Sequence, residues 1–477
     1  MQSTIHFYGG AGSVTGSNFL LEVNSPSAPF DSAQGKSLGT TKIRILVDCG
    51  LFQGKHSFED KNWDPFPFDP KSISVLVNTH AHIDHIGRIP KLVKDGFAGK
   101  IISTEATRAL AEPLLLDAME LSRLTAKRIG KEVLYDEHDI ATAMRQWEGV
   151  PYHQPQDVGG GVVLELLDAG HILGSAMAKF TRPSTTLGVN GKSIVFTGDL
   201  GGGNSPLLPL VESPTGVQYL VMESVYGDRM RHDDKHRRDL LENIIEEAVA
   251  KGGTLLIPAF STERTQDLLF EIRALMQEKR IPRVSVYLDS PLAEKITAAY
   301  LAYPQYFSDE MQKRIAAGEA IFDFSELRFV QDATASQKIG DTLDTKIIIA
   351  GSGMSNGGRV VAHESRILPD EKSTLLIVGY QAAGSLGRRL SEGAKSVEIR
   401  GTTVPVRCTV EAMYGYSAHM DGEQLLEFVN KVQNSLKEVF VVMGEPASAG
   451  FLVQRIRDYL GVKAVAPEQG EKAEIDF

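Results

Sequence analysis

Four side chains of the types that bind metal ions occur within six positions of the segment NTHAHIDHIGRIP, residues 78–90. They are His80, His82, Asp84 and His85. Imidazole nitrogens and carboxylate oxygens bind zinc at about 2.0–2.2 Å, and hydrolytic zinc sites keep one position open for water. Because side chains at i and i+2 of an extended backbone point the same way, His80 and His82 can bind one ion. Asp84 and His85 then face a second ion.

Two more candidate ligands stand at or just past the end of an apolar run: His171 in LLDAGHILGSA and Asp199 in SIVFTGDLG. Taken alone, either one fits an ordinary polar loop residue. Beside the first motif, they favour one shared metal site at the rim of a sheet. Asp48 comes directly after the apolar run IRILV. It is a candidate to accept a hydrogen bond from the N–H of a zinc-bound imidazole. The alternative is an ordinary aspartate in a turn. Imidazole-rich ligation favours zinc over manganese.

The elements that must position these residues follow from the hydrophobic pattern. From residue 1 to about 210, short apolar runs bounded by glycine-rich turns predict strands, and residues 104–130 carry helical spacing. From about 217 to 390, strand and helix patterns alternate, which is typical of a parallel α/β unit. Residues 24–42 are rich in Ser, Pro and Gly and predict a long exposed hairpin loop.

Length and composition narrow the class of protein. A chain of 477 residues exceeds the length that one hydrophobic core serves, so we expect two domains or one with a large insertion. No apolar run approaches the roughly 20 residues that span a bilayer, and the N-terminus lacks the pattern of a secretory signal. We therefore predict a cytoplasmic protein with no membrane span. The net charge of -11 argues against unspecific nucleic-acid binding by a basic surface, without excluding a polyanionic substrate.

The metal-ligand pattern, with Asp48 ahead of it, closely resembles the metallo-β-lactamase superfamily, whose fold is an αββα sandwich with a two-metal site at one rim. The second half resembles the β-CASP branch, the nucleases that include the pre-mRNA 3′-end cleavage endonuclease and its compact bacterial relatives. The three motifs of that branch match Glu223 in LVMESVYGDR, His363 in GSGMSNGGRVVAHE and His419 in GYSAHMDGEQLL. This implies an α/β fold in which a parallel β-CASP domain, residues 213–392, is inserted between sandwich parts at 1–212 and 393–477.

The resemblance also implies roles for these residues. Two zinc ions, with manganese as the alternative, would be held by three groups of ligands: His80, His82 and His171 for one ion, Asp84, His85 and His419 for the other, and Asp199 between them. The substrate would be single-stranded RNA, cut internally or from the 5′ end to leave a 5′-phosphate and a 3′-hydroxyl. His363, oriented by Glu223, would contact the scissile phosphate or protonate the leaving oxygen. Asp84 and Asp48 complete the predicted catalytic set.

Other readings stay open at this point. A metallo-hydrolase of a small ester or thioester is one alternative, and the large insertion counts against it. A non-catalytic RNA-processing scaffold is another, and the retention of every ligand position counts against that. The chain departs from the family pattern at Glu263, where a glycine is frequent, and at Met443, where a histidine is frequent. The oligomeric state is open, with a homodimer as one option.

Overall fold

The computed structural model describes residues 2–24, 42–54, 56–183, 191–230, 236–342, 344–379, 381 and 384–477. The chain divides into two compact units. Unit 1 comprises residues 1–203, 209–230 and 419–477, and unit 2 comprises residues 204–208 and 231–418. The hairpin loop predicted for residues 24–42 lies outside the described residues, apart from its two ends, which are the strand residues Asn24 and Lys42.

The first sheet of unit 1 has seven strands. They are β1 (Gln2–Gly9), β2 (Asn18–Asn24), β3 (Lys42–Val47), β4 (Val75–Val77), β5 (Lys100–Ser103), β6 (Trp147–Gly149) and β22 (Lys472–Asp476). Their order is β22-β1-β2-β3-β4-β5-β6, antiparallel as far as β3 and parallel from β3 to β6. Buried and more exposed side chains alternate along β1, as expected of a strand with one face on a core.

The second sheet of unit 1 also has seven strands. They are β7 (Gln156–Gly159), β8 (Val162–Asp168), β9 (Ala176–Arg182), β10 (Lys192–Phe196), β11 (Tyr219–Met222), β20 (Glu438–Val441) and β21 (Ala464–Val465). Their order is β21-β20-β11-β10-β9-β8-β7. Strands β7 to β10 are antiparallel, whereas β10, β11, β20 and β21 are parallel, so this sheet is mixed.

The two sheets of unit 1 pack face to face, because one buried cluster contains side chains of both, among them Phe19 and Phe196. The helices of this unit are α1 (His56–Glu59), α2 (Ile83–Ile86), α3 (Ile89–Lys94), α4 (Glu105–Ile129), α5 (Glu137–Gln146), α13 (Gly422–Val432) and α14 (Pro446–Arg455). Helices α4 and α5 contact strands of the first sheet. Phe428 of α13 and Leu452 of α14 pack with Leu220 of the second sheet in another cluster. The predicted αββα sandwich is confirmed.

Unit 2 is built on a six-stranded parallel sheet. Its strands are β12 (Thr254–Pro258), β13 (Ser285–Asp289), β14 (Leu327–Phe329), β15 (Lys346–Ala350), β16 (Thr374–Val378) and β19 (Thr409–Met413), with a separate hairpin of β17 (Ser396–Ile399) and β18 (Thr402–Pro405). The sheet order is β14-β13-β15-β12-β16-β19. The helices are α6 (Arg237–Lys251), α7 (Arg264–Gln277), α8 (Pro291–Ala302), α9 (Asp309–Ala316), α10 (Ala333–Ile339), α11 (Gly358–Ile367) and α12 (Leu386–Ser391). The predicted inserted parallel α/β unit is confirmed.

The division of the chain differs from the boundaries predicted at residues 212 and 392. Strand β11 pairs with β10 and β20, so unit 1 extends to residue 230. Strand β19 pairs with β16, so unit 2 extends to residue 418. The apolar pattern of each segment is typical of a strand, but the sheet that the strand joins depends on pairing between distant residues. Among the described residues, no helix combines the length and apolar character needed to cross a membrane.

Candidate metal centre

The predicted ligands of unit 1 lie just beyond the ends of strands in both of its sheets. His80 and His82 follow β4, and Asp84 and His85 lie in the short helix α2 that comes next. His171 follows β8, and Asp199 follows β10. His419 lies shortly before α13. An isolated bridge between Gly201 and His419 connects the last two of these loops. Residues far apart in the chain therefore meet at one rim of the sandwich.

The first group of donor atoms belongs to His80, His82, His171 and Asp199, whose ligand atoms lie within 4.8 Å of one another. Nδ1 of His82 is 3.1 Å from Nε2 of His80 and 3.2 Å from Nε2 of His171. Oδ2 of Asp199 lies 3.5 Å and 3.6 Å from the same two Nε2 atoms. Tetrahedral bonds of about 2.0–2.2 Å imply ligand separations of about 3.3–3.6 Å, so this group fits a zinc ion.

A second group of donor atoms adjoins the first through Asp199. Its other oxygen, Oδ1, lies 3.4 Å from Nε2 of His85, and that nitrogen is 3.9 Å from Oδ2 of Asp84. Among the described residues, neither Nε2 of His85 nor Oδ1 of Asp199 has a hydrogen-bond partner, although both atoms are buried. Leaving a buried polar group unsatisfied costs about 1–3 kcal/mol, and a cation between these atoms would remove that cost. The residues present therefore fit a second ion.

Asp48 fixes the orientation of His85. Its carboxylate accepts a hydrogen bond from Nδ1 of His85 at 2.7 Å, which directs Nε2 of that ring toward the donor group. The same carboxylate accepts from the Ser17 hydroxyl, the Asn78 amide, and the hydroxyl and backbone N–H of Thr79. Asp48 is 1% exposed and has a left-handed φ of 59°, a conformation that costs about 1–3 kcal/mol outside glycine. The surrounding hydrogen bonds offset this cost.

Glu223 contacts a histidine other than the one expected. Its Oε1 accepts a hydrogen bond from Nδ1 of His419 at 3.1 Å, and it also accepts from the backbone N–H of Leu200 at 2.6 Å. His363, in α11 of unit 2, donates from Nε2 to Asp289 at 2.6 Å. The carboxylate that holds His363 in the structure is thus Asp289, which is not among the predicted site residues. Asp289 ends strand β13 in the stretch VYLDSPLA, the same signal that drew attention to Asp48.

The charges of the centre suit a cation. Burial, together with neighbouring imidazoles, lowers the pKa of His82 and of His171 well below the usual value. Burial opposes a charged His85, but the carboxylates of Asp199 and Asp48 raise its pKa well above the usual value. Burial also opposes an ionised Asp199, yet neighbouring imidazoles hold its pKa well below the usual value. Neutral imidazoles and ionised carboxylates are the forms that bind metal, and a metal ion competes with the proton on His85.

The chain is similar to known proteins along most of its length. It is 34% identical over 387 residues to ribonuclease TTHA0252 of Thermus thermophilus, and this match covers 81% of the chain and 85% of that protein. The chain belongs to the β-CASP ribonuclease family of the metallo-β-lactamase superfamily. The predicted family is confirmed.

Other comparisons extend the assignment to the β-CASP family. A transcription termination factor FttA of Methanocaldococcus jannaschii is 33% identical over 419 residues, which is 85% of this chain but only 64% of that factor. An RNase J-like protein of the same organism is 30% identical over 436 residues, 90% of this chain and 94% of that protein. Sequence models of three families match: the metallo-beta-lactamase superfamily at 38–174, the Beta-Casp domain at 265–390, and the Zn-dependent metallo-hydrolase RNA specificity domain at 403–467.

Proposed function

We propose that the protein is a zinc-dependent ribonuclease that hydrolyses phosphodiester bonds of single-stranded RNA. One observation carries the proposal: Asp199 faces two groups of metal-binding atoms, one through each carboxylate oxygen. Its Oδ2 adjoins His80 and His171, and its Oδ1 adjoins His85. A two-metal centre is suited to displacement at phosphorus. Relatives named ribonuclease and RNase J-like, together with the match to an RNA specificity domain, support RNA as the substrate.

Two ions would divide the ligands. One ion would be held by His80, His82 and His171, the other by Asp84, His85 and His419, and Asp199 would contribute an oxygen to each. When bound, zinc supplies Lewis acidity and lowers the pKa of water enough for hydrolysis at neutral pH. Manganese is the alternative metal.

Residues of the chain position these ligands and handle the proton of the leaving group. Asp48 holds His85, and Glu223 holds His419, each by accepting a hydrogen bond from Nδ1. Cleavage breaks the bond between phosphorus and the 3′ oxygen, so the products are a 5′-phosphate and a 3′-hydroxyl. The departing 3′ oxygen needs a proton, and His363 is the residue proposed to donate it. We further propose a cytoplasmic enzyme of RNA processing or decay.

The experiment compares wild type with His82→Ala, and uses His138→Ala as a matched control because His138 is exposed on α5. Each protein is incubated with end-labelled single-stranded RNA, and bound zinc is measured by mass spectrometry. We expect wild type and the control to cut RNA and bind zinc, and His82→Ala to lose RNA cutting and about half of the bound zinc, because His82 is a ligand of one ion. A zinc-replete wild type that leaves the RNA intact would contradict the ribonuclease. Wild type without stoichiometric metal would contradict the metal centre.

Substrate form separates the remaining alternatives. A circular single-stranded RNA has no ends, so its cleavage identifies internal cutting. Release of mononucleotides from a 5′-phosphorylated linear RNA identifies cutting from the 5′ end. Hydrolysis of a small thioester by a zinc-replete wild type that spares RNA would identify the small-substrate hydrolase instead.

A further inference from the structure

An open cavity of about 400 Å³ lies at the N-terminus of α11. Three segments surround it: the loop and first turn at the start of α11, the start of α12, and the turn between β17 and β18. Every lining residue belongs to unit 2. The cavity is therefore a feature of that unit alone.

The N-terminus of α11 presents unpaired backbone N–H groups at this cavity. The helix begins after Gly357, which has no side chain to cap it. Within the described part of the chain, the N–H groups of Gly357 and Gly358 have no hydrogen-bond partner, and both residues line the cavity. A Cβ at Gly357 would meet nothing within 4 Å, so a ligand has room beside the backbone. Such N–H groups, together with the helix dipole, favour an anion.

The buried hydroxyl of Ser355 lines the same cavity and is unsatisfied. Ser355 is 2% exposed, and its Oγ makes no hydrogen bond to any described residue. Glu364 lies nearby, but neither of its carboxyl oxygens makes a hydrogen bond either. An unsatisfied buried hydroxyl destabilises the fold, and an anion that accepts its hydrogen bond removes that cost. Ser355 thus points to a ligand independently of the helix end.

The charged side chains of the lining favour a phosphate group. Arg389 and Arg400 are exposed, and neither forms an ion pair with another described residue, while Glu398 is the one acidic residue of the described lining. Guanidinium groups bind phosphate by paired hydrogen bonds. Donors from the helix end, one hydroxyl and two guanidinium groups exceed what the two oxygens of a carboxylate accept. A phosphate group offers three acceptor oxygens.

The size and apolar part of the cavity favour a phosphate carried by a larger molecule. Its volume falls in the range of about 300–1,000 Å³ that is typical of small-molecule sites, and exceeds what an isolated ion fills. Val361, Leu386 and Ile399 add apolar surface to the lining. Apolar side chains next to anion-binding groups suit a nucleotide, which joins a phosphate to a ribose and a flat base.

We propose that this cavity binds a nucleotide through its phosphate group. The Ser355 hydroxyl, with the N–H groups of Gly357 and Gly358, donates to phosphate oxygens. Arg389 and Arg400 offset the negative charge, and the apolar lining contacts the ribose or the base. The nucleotide is either a free nucleoside monophosphate or part of a single-stranded RNA. Only the RNA source rests on the proposed function.

Calorimetric titration of the full chain with adenosine 5′-monophosphate tests the site. Wild type is compared with Ser355→Ala and Arg389→Ala/Arg400→Ala, and Arg407→Ala is the control because Arg407 is exposed in unit 2 and does not line the cavity. We expect the dissociation constant to rise about 10-fold for Ser355→Ala and about 100-fold for the double variant, with the control unchanged. Adenosine, which lacks the phosphate, should bind about 100-fold more weakly than the nucleotide. Unchanged affinity in both variants, or equal affinity for adenosine, would overturn the proposal.

Thermal unfolding separates a loss of binding from a loss of fold. Without nucleotide, Ser355→Ala should be at least as stable as wild type, because the change removes an unsatisfied hydroxyl. With adenosine 5′-monophosphate in excess, the midpoint of wild type should rise more than that of Ser355→Ala. A variant that is markedly less stable than wild type without nucleotide would assign Ser355 a structural role and overturn its part in the site.

The two sources of the nucleotide are distinguished in the His82→Ala background, in which we expect RNA to stay intact. A ten-nucleotide RNA with hydroxyl groups at both ends is titrated into this variant and into His82→Ala/Arg389→Ala/Arg400→Ala. About 10-fold weaker binding of the RNA identifies a nucleotide within the chain. Unchanged RNA binding, with weaker binding of adenosine 5′-monophosphate, identifies the free nucleotide.

Failure of this inference differs from failure of the proposed function. Nucleotide binding that survives Arg389→Ala/Arg400→Ala but is lost in His82→Ala would assign the nucleotide to the metal centre and overturn the inference alone. A zinc-replete wild type that leaves RNA intact, yet binds adenosine 5′-monophosphate through Arg389 and Arg400, would contradict the ribonuclease and support the nucleotide site.

Discussion

Asp48 accepts a hydrogen bond from Nδ1 of His85 at 2.7 Å, and Nε2 of the same ring lies 3.4 Å from Oδ1 of Asp199. The imidazole of His85 thus lies between the carboxylate of Asp48, which orients it, and the metal-binding atoms around Asp199. Glu223 likewise accepts a hydrogen bond from Nδ1 of His419 at 3.1 Å, and donor atoms of these two residues and of Asp199 lie within 4.8 Å of one another. Each of these histidines is held at Nδ1 and presents Nε2, which is the atom that the proposed metal would take.

Replacing Asp48 by Asn should weaken the binding of one ion. The amide keeps the shape of the side chain but removes the charge that favours the Nδ1 proton of His85, and loss of such a partner typically lowers metal affinity about 10–100-fold. Zinc per chain is measured after dialysis against a series of chelator concentrations. Asp48→Asn should lose zinc at lower chelator concentrations than wild type does. Asp64→Asn, at an exposed aspartate, is the control. Identical chelator curves for both variants would contradict the role of Asp48.

Replacing Asp199 by Asn should affect both ions, whereas His171→Ala should affect one. Oδ2 of Asp199 adjoins the His80 and His171 nitrogens, and Oδ1 adjoins the His85 nitrogen. We expect His171→Ala to retain about half of the wild-type zinc and Asp199→Asn to retain little, because the amide is a poor ligand for both ions. The measurement is zinc stoichiometry at fixed free zinc. If both variants lose the same amount, Asp199 does not serve two ions.

Replacing Glu263 by Gly should stabilise the protein relative to Glu263→Ala. Glu263 has φ 65° and ψ -62°, a conformation that glycine adopts without strain and alanine does not. Both changes remove the ion pair with Arg264 at 3.5 Å, so their difference isolates the backbone. We expect the glycine variant to be more stable than the alanine variant by about 1 kcal/mol. Thermal unfolding of the two variants in excess zinc checks this, and equal midpoints would contradict it.

The sequence was sufficient to select His80, His171 and Asp199 as residues that lie together, because each follows an apolar run and the ends of β4, β8 and β10 meet at one rim. Partners of the histidines were harder to predict, since His419 and Glu223 lie 196 positions apart and His363 and Asp289 lie 74 apart. Only the tertiary structure, in which His363 of α11 reaches Asp289 at the end of β13, identifies the second pair. The unit boundaries depend in the same way on strand pairing, which local pattern does not determine.

Glu364 should make stability depend on pH in the sense opposite to that of a salt-bridged carboxylate. It is fully buried in α11, and burial raises its pKa from 4.5 to about 7, an effect that the nearby Ser355 hydroxyl only partly opposes. A raised pKa means that the fold favours the neutral acid. Its contribution is therefore complete below pH 4.5 and is lost as the pH rises through about 7.

Glu364→Gln removes this dependence while keeping a neutral side chain of similar shape. We expect the variant to match wild type near pH 4 and to be more stable near pH 8, by up to about 3 kcal/mol at full ionisation, so that it unfolds at a higher temperature there. Thermal unfolding at both pH values checks this, with Glu371→Gln as an exposed control on the same unit. The comparison of variant with wild type at each pH cancels the titration of all other groups. A variant that is destabilised equally at both pH values would show that Glu364 is ionised in the fold and stabilised as a carboxylate.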